Sequence, residues 1–211
     1  MKNDNTKRRY YIFTGLLLLC LLFKVVPHSL GLDQFAFPWN FSPLYAICLL
    51  MGATCRGHRF SGAFRYLAPM LLLVVGDIVI AMLSWSTGNK AIAFHKVQLA
   101  VYATFLMIIA MGWLLRKERT VWSVGLTGFT SALLFFVVTN FATWALGGGK
   151  PYPLNATGLL NCYVVALPFF RNTLIAMAIY LPLLFSPSVL AYIEGTETVT
   201  EESPQPTVIN V

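Results

Sequence analysis

Long apolar runs occupy most of this 211-residue chain, and they restrict its fold more than any other feature of the sequence. Hydrophobic residues make up 57% of the chain and charged residues only 11%, whereas a soluble domain carries about a quarter charged residues. A run of roughly 17–25 apolar residues suits a helix that crosses a bilayer. The sequence therefore predicts an all-α, polytopic membrane protein.

Six runs are candidates for the helices of a six-transmembrane-helix bundle. They cover residues 10–26, 43–55, 66–86, 96–115, 120–146 and 159–186. The second run is short, so its helix is expected to extend at either end, to be tilted or to be half-inserted. A signal peptide would also explain the basic residues before the first run, but no small-x-small cleavage site follows. We therefore expect a retained first helix.

The lysine and arginine residues predict an orientation, because cytoplasmic loops are enriched in them. With the N-terminus inside, the inner side holds Lys2, Lys7, Arg8, Arg9, Arg56, Arg59, Arg65, Arg116, Lys117 and Arg119. The outer side then holds Lys24, Lys90, Lys96 and Lys150. The transmembrane domain 10–186 is thus expected between two cytoplasmic tails, 1–9 and 187–211. The second tail is expected to be disordered, because from Glu194 onward it is acidic, rich in Pro and Thr, and too poor in apolar residues to fold alone. The net charge of +7 follows from this topology and does not indicate nucleic-acid binding.

Polar residues inside the apolar runs are the candidates for function. Arg171 is the only charge in the last run, and Asp77 lies in the middle of the third. A charge at membrane depth costs a few kcal/mol and is usually kept for a partner, a cavity or a ligand. Three interpretations remain open: a structural ion pair between the two residues, exposure of either one near an interface, or an outward-facing ligand cavity that they line with Asn140, Asn172 and Tyr163.

Aromatic residues cluster at the predicted outer ends of the helices. The loop Phe35–Phe41 alternates aromatic residues without a helical period, which suits either a lid over a binding site or an ordinary interfacial belt. Tyr102, Trp144 and Tyr152 could wall a pocket, because each side chain combines apolar area with a hydrogen-bonding tip.

Catalytic and metal-binding patterns do not occur in the sequence. The histidines fall in predicted loops, and neither an H-E-x-x-H nor a G-x-S-x-G motif is present. The four cysteines lie in apolar runs without a CxxC or Cys/His spacing, so packing is their expected role. The sequence therefore predicts neither an enzyme nor a bound cofactor.

The second half of the chain has the more specific motifs. Within Leu133–Phe185 these are Thr139-Asn140-Phe141, Trp144, Tyr152-Pro153, Cys162-Tyr163 and Pro168-Phe169-Phe170-Arg171-Asn172-Thr173-Leu174. The first half adds Pro27-His28 and Asn40-Phe41-Ser42-Pro43. On these residues, over about 24–186, the chain resembles an uncharacterised bacterial membrane family that is grouped with the substrate-binding (S) components of energy-coupling-factor (ECF) transporters.

The resemblance implies a multi-pass protein of the bacterial inner membrane that captures a small solute from the outer side. It also implies a separate membrane-coupling subunit and ATPase subunits as partners, since this chain has no ATP-binding motif. The site is then expected to use Asn40, Phe41, Asp77, Asn140, Trp144, Tyr152, Tyr163, Arg171 and Asn172, with Asp77 orienting or neutralising Arg171. The alternative is an interaction or structural protein whose intramembrane polar cluster is a brace.

Overall fold

A computed structural model describes residues 2–30, 40–55, 59–87 and 96–194, and every regular element in these ranges is helical. The helices are α1 (Lys2–Ser29), α2 (Leu44–Thr54), α3 (Arg59–Thr87), α4 (Gln98–Met111), α5 (Val121–Leu146), α6 (Ala156–Leu184) and α7 (Pro187–Glu194). A 3-10 turn, Gly112–Arg116, continues α4. The predicted all-α class is confirmed.

Five of the helices are long and apolar enough to cross a membrane. The apolar spans are Tyr10–Pro27, Gly62–Trp85, Gln98–Arg116, Val121–Leu146 and Ala156–Leu184. Large apolar side chains on their outer surfaces are solvent-accessible in the isolated chain, and Trp85, Trp122 and Leu160 are each more than half exposed. Contiguous apolar surface of this kind suits contact with lipid. Five of the six predicted spans are therefore present as long helices.

The sixth predicted span, residues 43–55, is a short helix enclosed by the others. Helix α2 has 11 residues, and all of them are buried. At 1.5 Å per residue it is about 16 Å long, roughly half of the 30 Å hydrocarbon core of a bilayer. Its sequence is apolar throughout because the helix is buried on every side. Within the described ranges, this half-length helix lies at the centre and packs against all five long helices.

The chain enters α2 through a polar turn that lies beside the middle of α1. Asn40 adopts a left-handed backbone conformation with φ 66°. Ser42 interacts with Cys20, in the centre of α1, and its hydroxyl oxygen accepts a hydrogen bond from the Leu44 N–H at 3.3 Å. Helix α2 therefore begins inside the bundle, where its free N–H groups need protein partners.

Helices α1 and α3 run parallel, which is possible because α2 returns the chain between them. The ring of Tyr10 packs on Phe64 at 4.7 Å near the start of both helices, and Lys24 contacts Asp77 near their ends. Helix α7 follows α6 and packs against α1, so the prediction of a disordered tail is wrong for its first residues, Pro187–Glu194. The described ends of the chain thus lie at one end of the bundle.

Arginine side chains surround the C-terminus of α2 at that same end, which we call the basic end. Arg116 donates from Nε to the Gly52 carbonyl and from Nη2 to the Cys55 carbonyl, both at 3.2 Å. Arg65 donates from Nη1 to the Cys55 carbonyl at 2.9 Å. The last carbonyls of a helix have no intrahelical donor and carry its partial negative charge, so these cations satisfy and stabilise the buried helix end.

A third arginine connects the same helix end to the last described helix. Arg119 donates from Nη2 to the Ala53 carbonyl at 3.4 Å and to Glu194 Oε1 at 2.8 Å. Its Nε group donates to the Leu115 carbonyl at 2.9 Å. Arg119 thereby joins α2, the 3-10 turn and α7 in one hydrogen-bonded group.

Two glycines allow α2 to cross the 3-10 turn with backbone against backbone. A Cβ atom added at Gly52 would lie 2.9 Å from the Gly112 Cα and would overlap the Ile109 carbonyl oxygen. A Cβ atom added at Gly112 would overlap the Leu49 carbonyl oxygen. Small residues permit this kind of close helix approach in membranes, and here the crossing holds Arg116 against the end of α2.

We predict that Gly112→Ala destabilises the fold by about 1–3 kcal/mol, because the two backbones must separate to admit a methyl group. Gly125→Ala is the matched control, since a Cβ atom at Gly125 meets nothing within 4 Å. The measurement is the thermal unfolding midpoint of both variants in mild detergent. Equal midpoints for the two variants would contradict the proposed crossing.

We predict that Arg116→Met destabilises the fold by about 1–3 kcal/mol, because it removes charged donors from two buried carbonyls. Lys117→Met changes the exposed neighbouring residue and should be neutral. Unfolding midpoints in detergent compare the two variants with the parent protein. A loss of stability that is the same in both would show that the capping contacts do not contribute.

Candidate functional site

A buried carboxylate forms the centre of a polar cluster between α1, α3 and α4. Asp77 is 4% exposed. It accepts hydrogen bonds from Lys24 Nζ at 2.5 Å, from the Tyr102 hydroxyl at 2.5 Å and from the amide of Gln98. We call these four residues the Asp77 cluster. Three donors on one carboxylate, one of them charged, offset much of the cost of burying it.

The local sequence explains how Lys24 reaches the carboxylate. A Cβ atom at Gly76 would lie 2.9 Å from Cδ of Lys24, so only a glycine leaves room for the lysine side chain to cross α3. The same Nζ atom donates to the Leu73 carbonyl at 3.2 Å. Gln98 and Tyr102 lie four residues apart on α4 and therefore face Asp77 together.

Asp77 does not pair with Arg171, so the proposed pair of these two residues is wrong. The carboxylate is bound by Lys24, while Arg171 is exposed on the outside of α6. Lys24 was expected on the outer side, at the end of the first apolar run, 10–26. Helix α1 instead continues to Ser29, and Lys24 lies opposite Asp77 of the parallel helix α3.

A separate polar pocket lies between the turn at Asn40 and the middle of α5 and α6. Its volume is about 110 Å³. The polar side chains that line it are Asn40, Thr139, Asn140 and Thr173. Four phenylalanine rings, at 135, 136, 169 and 170, form most of the remaining wall. We call this cavity the Asn40 pocket.

Three of the four polar side chains in the Asn40 pocket donate a hydrogen bond within their own helices. Each donates to a backbone carbonyl four residues earlier: Thr139 to Phe135 at 2.7 Å, Asn140 to Phe136 at 2.7 Å and Thr173 to Phe169 at 3.1 Å. Hydroxyl and amide oxygens keep free lone pairs after such bonds. The pocket therefore presents acceptor oxygens and aromatic faces together with the remaining amide N–H groups of Asn40 and Asn140, without a charged side chain in its lining.

Two predicted site residues instead connect α5 with α6 and with the loop between them. The Trp144 indole donates to the Pro153 carbonyl at 2.9 Å, and the Tyr163 hydroxyl donates to the Val137 carbonyl at 2.9 Å. Tyr152 is half-buried in the loop between the two helices. The polar tips of Trp144 and Tyr163 thus hold backbone together and do not face the pocket.

The remaining predictions are divided between the pocket and its surroundings. Asn40 and Asn140 line the cavity, whereas Phe41 packs its ring on Tyr180 at 5.7 Å. Asn172 is partly exposed beside Arg171. The proposed lid at 35–39 lies outside the described residues, so only its last two residues, Asn40 and Phe41, are located.

Metal binding has no support in the described ranges. They contain no group of three or more His, Cys, Asp or Glu side chains that could hold an ion. The four cysteines are all buried, in agreement with a packing role. Gln98, Thr139 and Thr173 were not among the predicted site residues, and the available signal was that each is a polar residue inside an apolar run.

Comparison with known proteins gives one match. Residues 4–198 match a family model described as a family of unknown function, DUF6580. No curated protein and no solved structure matches the chain. The match covers nearly all of the described residues, including the Asp77 cluster and the Asn40 pocket.

We predict that Asp77→Asn destabilises the fold by about 1–3 kcal/mol, because it leaves the Lys24 charge without its partner. The loss stays below the value for a fully buried pair because the lysine side chain is 25% exposed. The double variant Lys24→Met/Asp77→Asn should recover most of the loss, since a neutral amide can still accept from Tyr102.

Thermal unfolding midpoints of the two single variants, the double variant and the parent protein test this in one series. Independent, additive losses in the double variant would contradict the proposed coupling.

Proposed function

We propose that this chain, which belongs to the DUF6580 family, is a membrane-embedded solute-binding protein that works as the S-like component of an ECF-type uptake transporter. The observation on which the proposal rests is the Asn40 pocket. Polar side chains from three separate chain segments converge there on one cavity inside an apolar bundle. Buried polar groups at membrane depth are costly and usually functional.

The lining of the pocket supports a particular class of solute. Acceptor oxygens favour a ligand that brings its own N–H or O–H donors, and phenylalanine faces favour a positive charge. A volume of about 110 Å³ suits a small molecule rather than a drug-sized one. We therefore propose a small solute rich in donors, either neutral or cationic, and Arg171 has no part in binding it.

Orientation follows from the positive-inside rule. The basic end, with Arg65, Arg116 and Arg119, would face the cytoplasm, and both described ends of the chain would lie there. The Asn40 pocket would then be approached from the opposite, outer side. Energy would come from a membrane-coupling subunit and ATPase subunits.

A brace without a ligand is the second candidate, and the Asp77 cluster favours it. The carboxylate has three donors already, so it needs no solute. In that case the protein would serve as an interaction partner in the membrane, and the pocket would hold only water.

We predict that a small molecule co-purifies with the parent protein and is lost from Ala166→Leu, because the added side chain fills the pocket that Ala166 lines. Val165→Leu is the matched control, since Val165 is the residue next to Ala166 and its side chain is 56% exposed on the surface of the bundle. Native mass spectrometry of gently solubilised protein measures the bound mass, and extraction identifies the compound.

Two results would overturn the proposal. One is a parent protein that is folded and empty; the other is a bound molecule that remains equally in Ala166→Leu and Val165→Leu. The first result would favour the brace.

A further inference from the structure

Arg171 places a positive charge on the outer surface of the bundle, near the middle of α6. The helix runs from Ala156 to Leu184, and the Arg171 side chain is exposed. The ion pairs between described residues are Lys24–Asp77 and Arg119–Glu194. Arg171 therefore forms no ion pair with a carboxylate in the described ranges. A charge at the centre of a spanning helix ordinarily faces protein or a water-filled cavity.

The guanidinium belongs to a continuous exposed stripe on α6. The residues of this stripe follow one another at spacings of three or four: Val164, Pro168, Arg171, Ile175, Ala178 and Pro182, and all are exposed. That spacing places them on one helix face. We call this face the α6 outer stripe.

Two prolines add further polar groups to the α6 outer stripe. Proline has no N–H group, so Pro168 cannot donate to the Val164 carbonyl, and Pro182 cannot donate to the Ala178 carbonyl. Lipid offers no replacement donor, and neighbouring helices commonly supply one. The stripe therefore combines a cation with two carbonyls that lack their ordinary helical donor.

A groove between α5 and α6 continues the stripe toward the basic end. Its volume is about 510 Å³, and its lining is mostly apolar. Phe129 and Leu174 line the end of the groove that is farther from the basic end, and Leu174 follows Arg171 by one helical turn along α6. Gly125 and Ala178 are small residues in the wall of the groove. A Cβ atom at Gly125 would meet nothing within 4 Å. Small residues on an exposed face allow a second helix to approach closely.

Charge complementarity identifies the occupant. A helix that covered the stripe would desolvate Arg171 and would need a carboxylate at the same depth. A second copy of this chain cannot supply one, since the described acid at membrane depth, Asp77, is already bound by Lys24, Gln98 and Tyr102. Two copies related by a two-fold axis would also oppose their Arg171 charges.

We infer that the α6 outer stripe and the α5–α6 groove dock a transmembrane helix of a different membrane protein, one that carries an Asp or Glu near the middle of the bilayer. The inference does not depend on the solute-binding role, because neither Arg171 nor the groove lines the Asn40 pocket.

The test uses a synthetic Leu/Ala-rich transmembrane peptide of about 24 residues with one central Glu, and a second peptide with Gln in its place. The fluorescently labelled full chain and each labelled peptide are reconstituted in phosphatidylcholine vesicles, and energy transfer measures their association. We expect the Glu peptide to bind about tenfold more tightly than the Gln peptide.

Three variants locate the interaction. Arg171→Leu should abolish the preference for Glu, and Arg171→Glu should transfer the preference to a peptide with a central Lys. Gly125→Leu should weaken the binding of both peptides because it fills the groove. Gly15→Leu is the matched control on α1, where a Cβ atom also meets nothing within 4 Å, and it should bind both peptides as the parent protein does.

Equal binding of the Glu and Gln peptides by the parent protein overturns the inference. If Arg171-dependent retention of phosphatidylglycerol in native mass spectra accompanies that result, the occupant is a lipid headgroup. Energy transfer between labelled copies without peptide, lost in Arg171→Leu, also overturns it and identifies a second copy as the occupant.

Discussion

The buried end of α2 is the constraint on which the rest of the bundle depends. A helix that stops inside protein leaves carbonyls that water cannot reach, and each such group costs several kcal/mol in an apolar medium. Arg65, Arg116 and Arg119 meet those carbonyls from α3, the 3-10 turn and the segment before α5. Because one helix end recruits donors from three other segments, the packing of the basic end is fixed by its hydrogen bonds.

The five long helices could be predicted from the sequence, but the role of the short one could not. Length and hydropathy distinguish a run of 26 residues from a loop, whereas residues 43–55 suit either a tilted span or an inserted half-helix. The three arginines were assigned to inner loops by the positive-inside rule. That assignment says nothing about hydrogen bonds, so the capping of α2 was missed.

The sequence did not place the predicted site residues relative to one another. Asn40 and Asn140, both predicted as site residues, line the same pocket. Asp77 was recognised as a buried acid, but its partner was misjudged, because the sequence does not show that Lys24 of α1 lies opposite Asp77 of α3. The tips of Trp144 and Tyr163 bind backbone carbonyls, and such contacts depend on tertiary structure that sequence spacing does not reveal.

The enclosed position of α2 has a consequence for how the protein is made. Helix α2 has no surface for lipid, and Arg116, which caps it, follows the Gly52 carbonyl by 64 residues along the chain. The Arg116 and Arg119 side chains therefore become available to the C-terminal carbonyls of α2 only after the chain has been synthesised past the 3-10 turn. Until then, these carbonyls lack two of the three arginines that cap them in the folded protein.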